Sequence, residues 1–104
     1  MLREAKSTAR ILKEIYNLIK KDRYYLSKET FKAIAGRGNL RNVYLTDVNM
    51  QLHRRGLTLI DLRKIRDKQD CVGVIETKKI LSNWKFLSKT GIKNLNIPAL
   101  KNSL

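Results

Sequence analysis

Val48-Asn49-Met50-Gln51-Leu52-His53-Arg54-Arg55-Gly56-Leu57-Thr58-Leu59-Ile60 is the stretch on which the fold turns. Its first half sets Val48 and Leu52 four residues apart, which is helical spacing. Its second half, from Leu57, is apolar and β-branched, which is strand composition. Gly56 stands where the period changes. A glycine there can take the left-handed conformation that ends a helix, and Arg54 and Arg55 fall where the helix dipole favours cations. The stretch therefore predicts a helix that stops at a glycine and feeds straight into a strand.

Toward the C-terminus, residues 57–62 are apolar, 63–70 polar and turn-like, and 71–75 apolar again. Strand, charged turn and strand make a β-hairpin; a competing reading makes 61–69 a short helix. Cys71, at a strand start, is expected to be a small buried hydrophobe. Thr77 is expected to cap a last helix running to Lys89, with Ile80, Leu81, Trp84 and Leu87 facing inward, Lys78, Ser82, Lys85 and Lys89 outward, and Gly91 as its stop. At this spacing Trp84 reads as core packing. Residues 92–104, with Pro98 and scattered leucines, form a tail, either frayed or docked.

Toward the N-terminus, the third helix lies somewhere within 40–55. It buries Tyr44 or Leu45, then Val48, then Leu52; with Thr46 as its cap, the helical part shrinks to 47–55. Gly36-Arg37-Gly38-Asn39 supplies positive-φ positions and ends the helix before it. That helix, 28–35, has Ser27 as N-cap and turns Phe31, Ile34 and Ala35 inward. Arg23-Tyr24-Tyr25-Leu26 reads as a short connector. Residues 4–22 read as a first helix: Ala5, Ala9, Leu12, Ile15, Tyr16 and Ile19 form one apolar stripe, widened by Ile11 and Leu18. Lys6, Arg10, Lys13, Asn17 and Lys20 line another side. The expected class is α+β, mostly helical, with a single domain over 1–91 and the tail over 92–104.

The 104 residues hold 23 Lys and Arg against nine Asp and Glu, a formal charge of +14. Such an excess points to a polyanionic partner, because it offers the fold only self-repulsion. The charge is uneven. Residues 77–104 hold six bases and no acid, whereas 57–76 hold four of each. No apolar run approaches the ~20 residues of a bilayer span, and Met1-Leu2-Arg3-Glu4-Ala5-Lys6 has no signal-like apolar stretch, so a cytoplasmic protein with no membrane partner is expected. One cysteine and one histidine leave no disulfide framework, metal site or cofactor to predict. With no phosphate loop and no paired carboxylates in an apolar setting, no enzyme activity is expected.

Residues 27–75 resemble the winged helix-turn-helix superfamily. The segments that carry the resemblance are Thr30-Phe31-Lys32-Ala33-Ile34-Ala35-Gly36-Arg37, similar to a scaffold helix with its turn, and the opening stretch above, similar to the end of a recognition helix entering a wing strand. The turn after Ala35 is longer than the three or four residues of a compact helix-turn-helix. The resemblance implies the order helix, helix, helix, β-hairpin, helix. It also implies binding without catalysis, as a DNA-binding regulator or an accessory protein of a mobile element or phage.

The candidate contacts follow from that placement. Asp47, Asn49, Met50, His53 and Arg54, with Gln51 at an edge, lie opposite Val48 and Leu52 and would face the major groove, where Asn and Gln suit adenine and Arg suits guanine, while Asp47 would cap the helix or accept from an amine. Arg37 and Arg41 would clamp phosphates near the helix start. Arg63, Lys64, Arg66 and Lys68 would form the wing tip. Tyr24 and Tyr25, among basic residues, are candidates for stacking on unpaired bases. The alternative partner is single-stranded DNA, in replication or recombination; RNA is a further candidate. A small basic RNase toxin fits the size but not the helical opening, and a ribosome-associated protein fits the composition. A homodimer formed through 4–22 or 77–104 is a further expectation.

Overall fold

The computed structural model describes residues 3–63 and 70–104. Its elements run α1 (Ala5–Ile19), β1 (Arg23–Ser27), α2 (Lys28–Ala35), α3 (Asn42–His53), β2 (Leu57–Asp61), β3 (Cys71–Glu76) and a short α4 (Lys89–Lys93). Single 3-10 turns occupy Thr77–Lys79 and Pro98–Leu100. The protein is α+β, roughly half helical, with a three-stranded antiparallel sheet in the order β1-β3-β2.

Gly56 does what the opening stretch predicts. It sits at φ +78° with its N–H bonded to the His53 carbonyl, and the chain enters β2 at the next residue. Gly36 closes α2 in the same left-handed conformation, and Ser27 caps the start of α2 through its Oγ, which accepts from the Thr30 N–H at 3.1 Å. α3 begins at Asn42, earlier than a Thr46 cap allows, so Tyr44 and Leu45 are both buried. α1 stops at Lys20, which takes the left-handed conformation, and leaves Leu18 in solvent.

β1 corrects the connector expected at residues 23–26. Tyr24 and Leu26 turn inward while Arg23, Tyr25 and Ser27 turn outward, a two-residue alternation that only a pleated strand produces. β1 pairs antiparallel with β3, placing Tyr24 opposite Val74 and Leu26 opposite Val72; β2 pairs along the other side of β3, with Leu59 opposite Val74. The inward faces of Val72 and Val74 meet Ala9 and Leu12 of α1, Phe31 and Ala35 of α2, and Val48 and Leu52 of α3 in one core. Each fully buried large side chain there contributes roughly 1.5–3 kcal/mol relative to exposure.

The helix expected over 77–89 is not present. After the Thr77–Lys79 turn the chain is irregular, Asn83 takes a positive φ of 69°, and residues 84–88 have no regular secondary structure. Gly91 is inside α4 rather than after a long helix, and its N–H donates to Ser88 Oγ. Trp84, expected in the core, is 68% exposed, and Phe86 is 87% exposed. Cys71 is half-buried on the outer side of the sheet rather than in the core. Among the described residues, no helix is long and apolar enough to cross a membrane.

Candidate nucleic-acid interface

α3 is held along one side. Val48 and Leu52 are fully buried, and Tyr44 and Leu45 nearly so. The opposite side carries Val43, Thr46, Asp47, Met50, His53 and Arg54, all exposed. These residues recur at the i, i+3, i+4, i+7 spacing of a single helix face. Asp47, Met50, His53 and Arg54 thus come together on the outer face. Val43 and Thr46 belong to it too, and sequence reasoning missed them because it left the start of the helix open. Gln51 is half-buried at the flank, and its carbonyl accepts from Arg55 at 2.8 Å.

Asn49 is turned the other way. Its Oδ1 accepts from the Leu59 N–H at 2.8 Å, tying α3 to β2. The amide therefore satisfies a strand donor on the side of β2 that has no neighbouring strand. The sequence signal was its position one residue after Val48, which puts it beside the buried stripe rather than opposite it.

The three arginines near the start of α3 have different surroundings. Arg37 stacks on the Tyr44 ring, with its guanidinium carbon 3.7 Å from the ring centre, and donates to the Arg3 carbonyl at 3.0 Å. The Tyr44 hydroxyl donates to that same carbonyl and, with that proton committed, accepts from the Thr8 hydroxyl at 2.6 Å. Arg3 in turn donates to the Ile34 carbonyl and, through its backbone N–H, to the Ala35 carbonyl. This network fastens the start of α1 to the turn between α2 and α3. Arg41, by contrast, is the exposed N-cap residue of α3, with no side-chain capping bond. Its charge stands where the helix N-terminus already favours anions.

Arg63 is a brace. It donates to both carboxylate oxygens of Asp61, at 2.8 and 2.7 Å, to the Leu40 carbonyl at 3.1 Å and to Asn42 Oδ1 at 2.9 Å. The Asp61 bonds push its pKa above the ordinary arginine value, so its charge is spent within the protein. Through it the base of the β2–β3 hairpin is fixed to the start of α3. Lys64, Arg66 and Lys68, expected at the wing tip, lie outside the described residues, as does most of the alternative short helix at 61–69.

Tyr24 packs against the core and donates from its hydroxyl to the Leu12 carbonyl at 2.7 Å; burial pushes its pKa well above the ordinary phenol value. Tyr25 is exposed on the outer face of the sheet, opposite Gly73 of β3. The two tyrosines therefore point to opposite sides of β1 and do not form a joint stacking platform. Among the described residues, no group of three or more His, Cys, Asp or Glu could hold a metal ion. In comparisons with known proteins, no family model, no curated protein and no solved structure matches the chain.

Proposed function

We propose that this chain is a non-catalytic nucleic-acid-binding protein of the winged helix-turn-helix type, with α3 entering the major groove of a duplex and the β2–β3 hairpin serving as the wing. The observation that carries the reading is the outer face of α3: a 12-residue helix, anchored by Val48 and Leu52, that presents Thr46, Met50, His53 and Arg54 to solvent. A helix of ~10–12 Å diameter fits the ~12 Å major groove. The order of the first three helices and three strands, with β3 between β1 and β2, supports the same reading, as does the charge of +14.

In this mechanism Arg41, Lys64, Arg66 and Lys68 neutralise phosphates, which supplies most of the affinity, while the outer face of α3 sets orientation and base preference. Arg37, Asn49 and Arg63 act one step removed, by fixing where α3 and the hairpin sit. Duplex is favoured over single strands because Tyr24, one of the two candidate stacking residues, is turned into the core. Titrating duplex DNA, single-stranded DNA and RNA at two ionic strengths tests the proposal. Expected are tightest retention of duplex and an affinity that falls as salt rises. Failure to bind any polynucleotide at low salt would overturn it.

A further inference from the structure

The outer face of the sheet is largely apolar. Gly73 stands at the centre of β3 between Tyr25 of β1 and Ile60 of β2. The Leu62 side chain takes the space that a side chain at Gly73 would fill; a Cβ there would lie 3.3 Å from Leu62 Cδ1 and 3.7 Å from Ile60 Cβ. Ile75 is buried beside it, and an open groove of about 610 Å³ runs between Arg23, Tyr25, Ile60, Leu62, Gly73 and Ile75. Its rim is electrically quiet. Asp22, Asp61, Asp70 and Glu76, at the strand ends, pair with Arg23, Arg63, Lys28 and Lys78.

The same chain carries an apolar segment with nothing beneath it. Leu81, Trp84, Phe86 and Leu87 are all exposed, and 84–88 has no regular secondary structure. The Thr77 N–H donates to the Gly56 carbonyl at 2.8 Å and the Thr58 and Thr77 hydroxyls meet at 2.9 Å, so the segment departs from a Thr77 tied to the start of β2. The molecule is accordingly 56 Å long and only 27 × 24 Å across, with a radius of gyration of 17.6 Å, where a compact chain of this length has ~13 Å.

We propose that the occupant of the groove is the Trp84-Lys85-Phe86-Leu87 segment of a second copy, exchanged reciprocally about a two-fold axis. Both halves of the contact are present in one chain, and reciprocal exchange closes at two copies. Two tails, each with a Trp and a Phe that bury ~150–250 Å² apiece, together with the sheet they cover, approach the ~1,600 Å² of a standard interface. The six lysines of 77–104 meet a rim whose cations are already paired, so the groove repels this segment less than the rest of a +14 surface does. Aliphatic Leu81 and Leu87 beside the aromatics favour an apolar protein surface over stacked bases.

The test is molar mass by light scattering on the full chain, free of nucleic acid, over a concentration series at low and high salt. The expected result is a concentration-dependent rise from 12.1 kDa to twice that, strengthened by salt because screening weakens the repulsion between copies. Salt has the opposite sign for nucleic-acid binding, so the two proposals fail separately. The double variant Trp84→Ala/Phe86→Ala, whose side chains touch no core, is expected to stay monomeric. So is Ile60→Lys, with Tyr25→Ser as a second groove variant should Ile60→Lys lose its circular-dichroism signature. Mixing the tail variant with a groove variant is expected to restore a weaker dimer, since one of the two dockings is intact. A wild-type chain that is monomeric throughout, or a tail variant that dimerises unchanged, overturns the proposal. So does a tail variant of unchanged mass that loses only single-stranded DNA or only vesicles of anionic lipid, which would make the segment a stacking platform or a membrane contact.

Discussion

Residues 5–76 and 77–104 use similar side chains to opposite effect. In α1, apolar residues at helical spacing close onto α3 and the sheet, and Ala9 and Leu12 are fully buried. In 77–89, Ile80, Leu81, Trp84 and Leu87 have the same spacing, yet the helix does not form and three of the four are exposed. The difference is what stands opposite. A short helix is marginal in water and takes most of its stability from the surface that covers its apolar side. The last segment meets no such surface, and Leu81, Trp84 and Leu87 are left in solvent. It also holds six lysines and no acid, which removes the ion pairs that support an isolated helix. Periodicity alone thus specifies an element only where the topology supplies its partner.

The comparison breaks most visibly under core truncation. Phe31 is fully buried among the three helices and the sheet, so Phe31→Ala is expected to cost ~3–5 kcal/mol by chemical denaturation. Trp84→Ala, a larger change in sequence terms, is expected to fall within ~0.5 kcal/mol of wild type under dilute conditions. A cost for Trp84→Ala comparable to that for Phe31→Ala would mean that the last segment packs on the body in solution.

Next in size is Tyr44→Phe. It removes the hydroxyl that joins Thr8 to the Arg3 carbonyl and leaves the Arg37 stacking surface in place. A loss of ~1–3 kcal/mol is expected, because buried groups lose their partners. Arg37→Ala is expected to be destabilising as well, and its effect on nucleic-acid affinity should track its loss of stability. A stable Arg37→Ala protein with a flattened salt slope would instead make Arg37 a direct phosphate contact.

The arginines sharpen the contrast within the body. Arg41→Ala is expected to leave the melting temperature unchanged and to reduce the salt slope of duplex binding by about one unit. Arg63→Ala is expected to do the reverse, lowering stability by releasing the hairpin base from Leu40 and Asn42 while leaving the slope nearly unchanged. Arg54→Ala, on the outer face, is expected to cost ~1–3 kcal/mol on a preferred site and less on random duplex. Asn49→Ala should instead weaken both equally, through the lost Leu59 contact. A sequence-selective loss in Asn49→Ala would return that amide to base reading.

Much of this is legible in the amino-acid sequence. The Gly56 stop, the β2–β3 pair, the Ser27 cap and the buried Phe31, Val48 and Leu52 follow from local spacing and turn chemistry. β1 was missed because Arg23-Tyr24-Tyr25-Leu26 is too short to display alternation, and only its pairing with β3, some fifty residues away, reveals it. For the candidate site, charge identified the right residue types but not which of them are free to act. Arg41 and Arg63 look alike in sequence. One is exposed at a helix start, and the other is held by a carboxylate two residues before it and a carbonyl 23 residues away. A side chain's availability depends on long-range neighbours, which composition and spacing do not encode.

The smallest expected effect lies at the seam between the two regions. Glu76, the last residue of β3, takes a hydrogen bond from Lys78 and another from the Tyr16 hydroxyl, and these hold its carboxyl below the ordinary range. Arg23 does the same for Asp22, whose carbonyl accepts from the Glu76 N–H. A carboxylate whose pKa is lower in the folded state adds stability above its unfolded pKa and loses that contribution as pH falls through the folded value. The melting temperature is therefore expected to drop as pH descends through the carboxylate range, and Glu76→Gln should flatten part of that limb. The variant should be slightly less stable than wild type at neutrality and indistinguishable from it once Glu76 is protonated. Both groups are near solvent and screened by salt, so the gap should narrow as ionic strength rises. A gap that persists in acid would mean that residue 76 matters for packing at the strand end rather than for its charge.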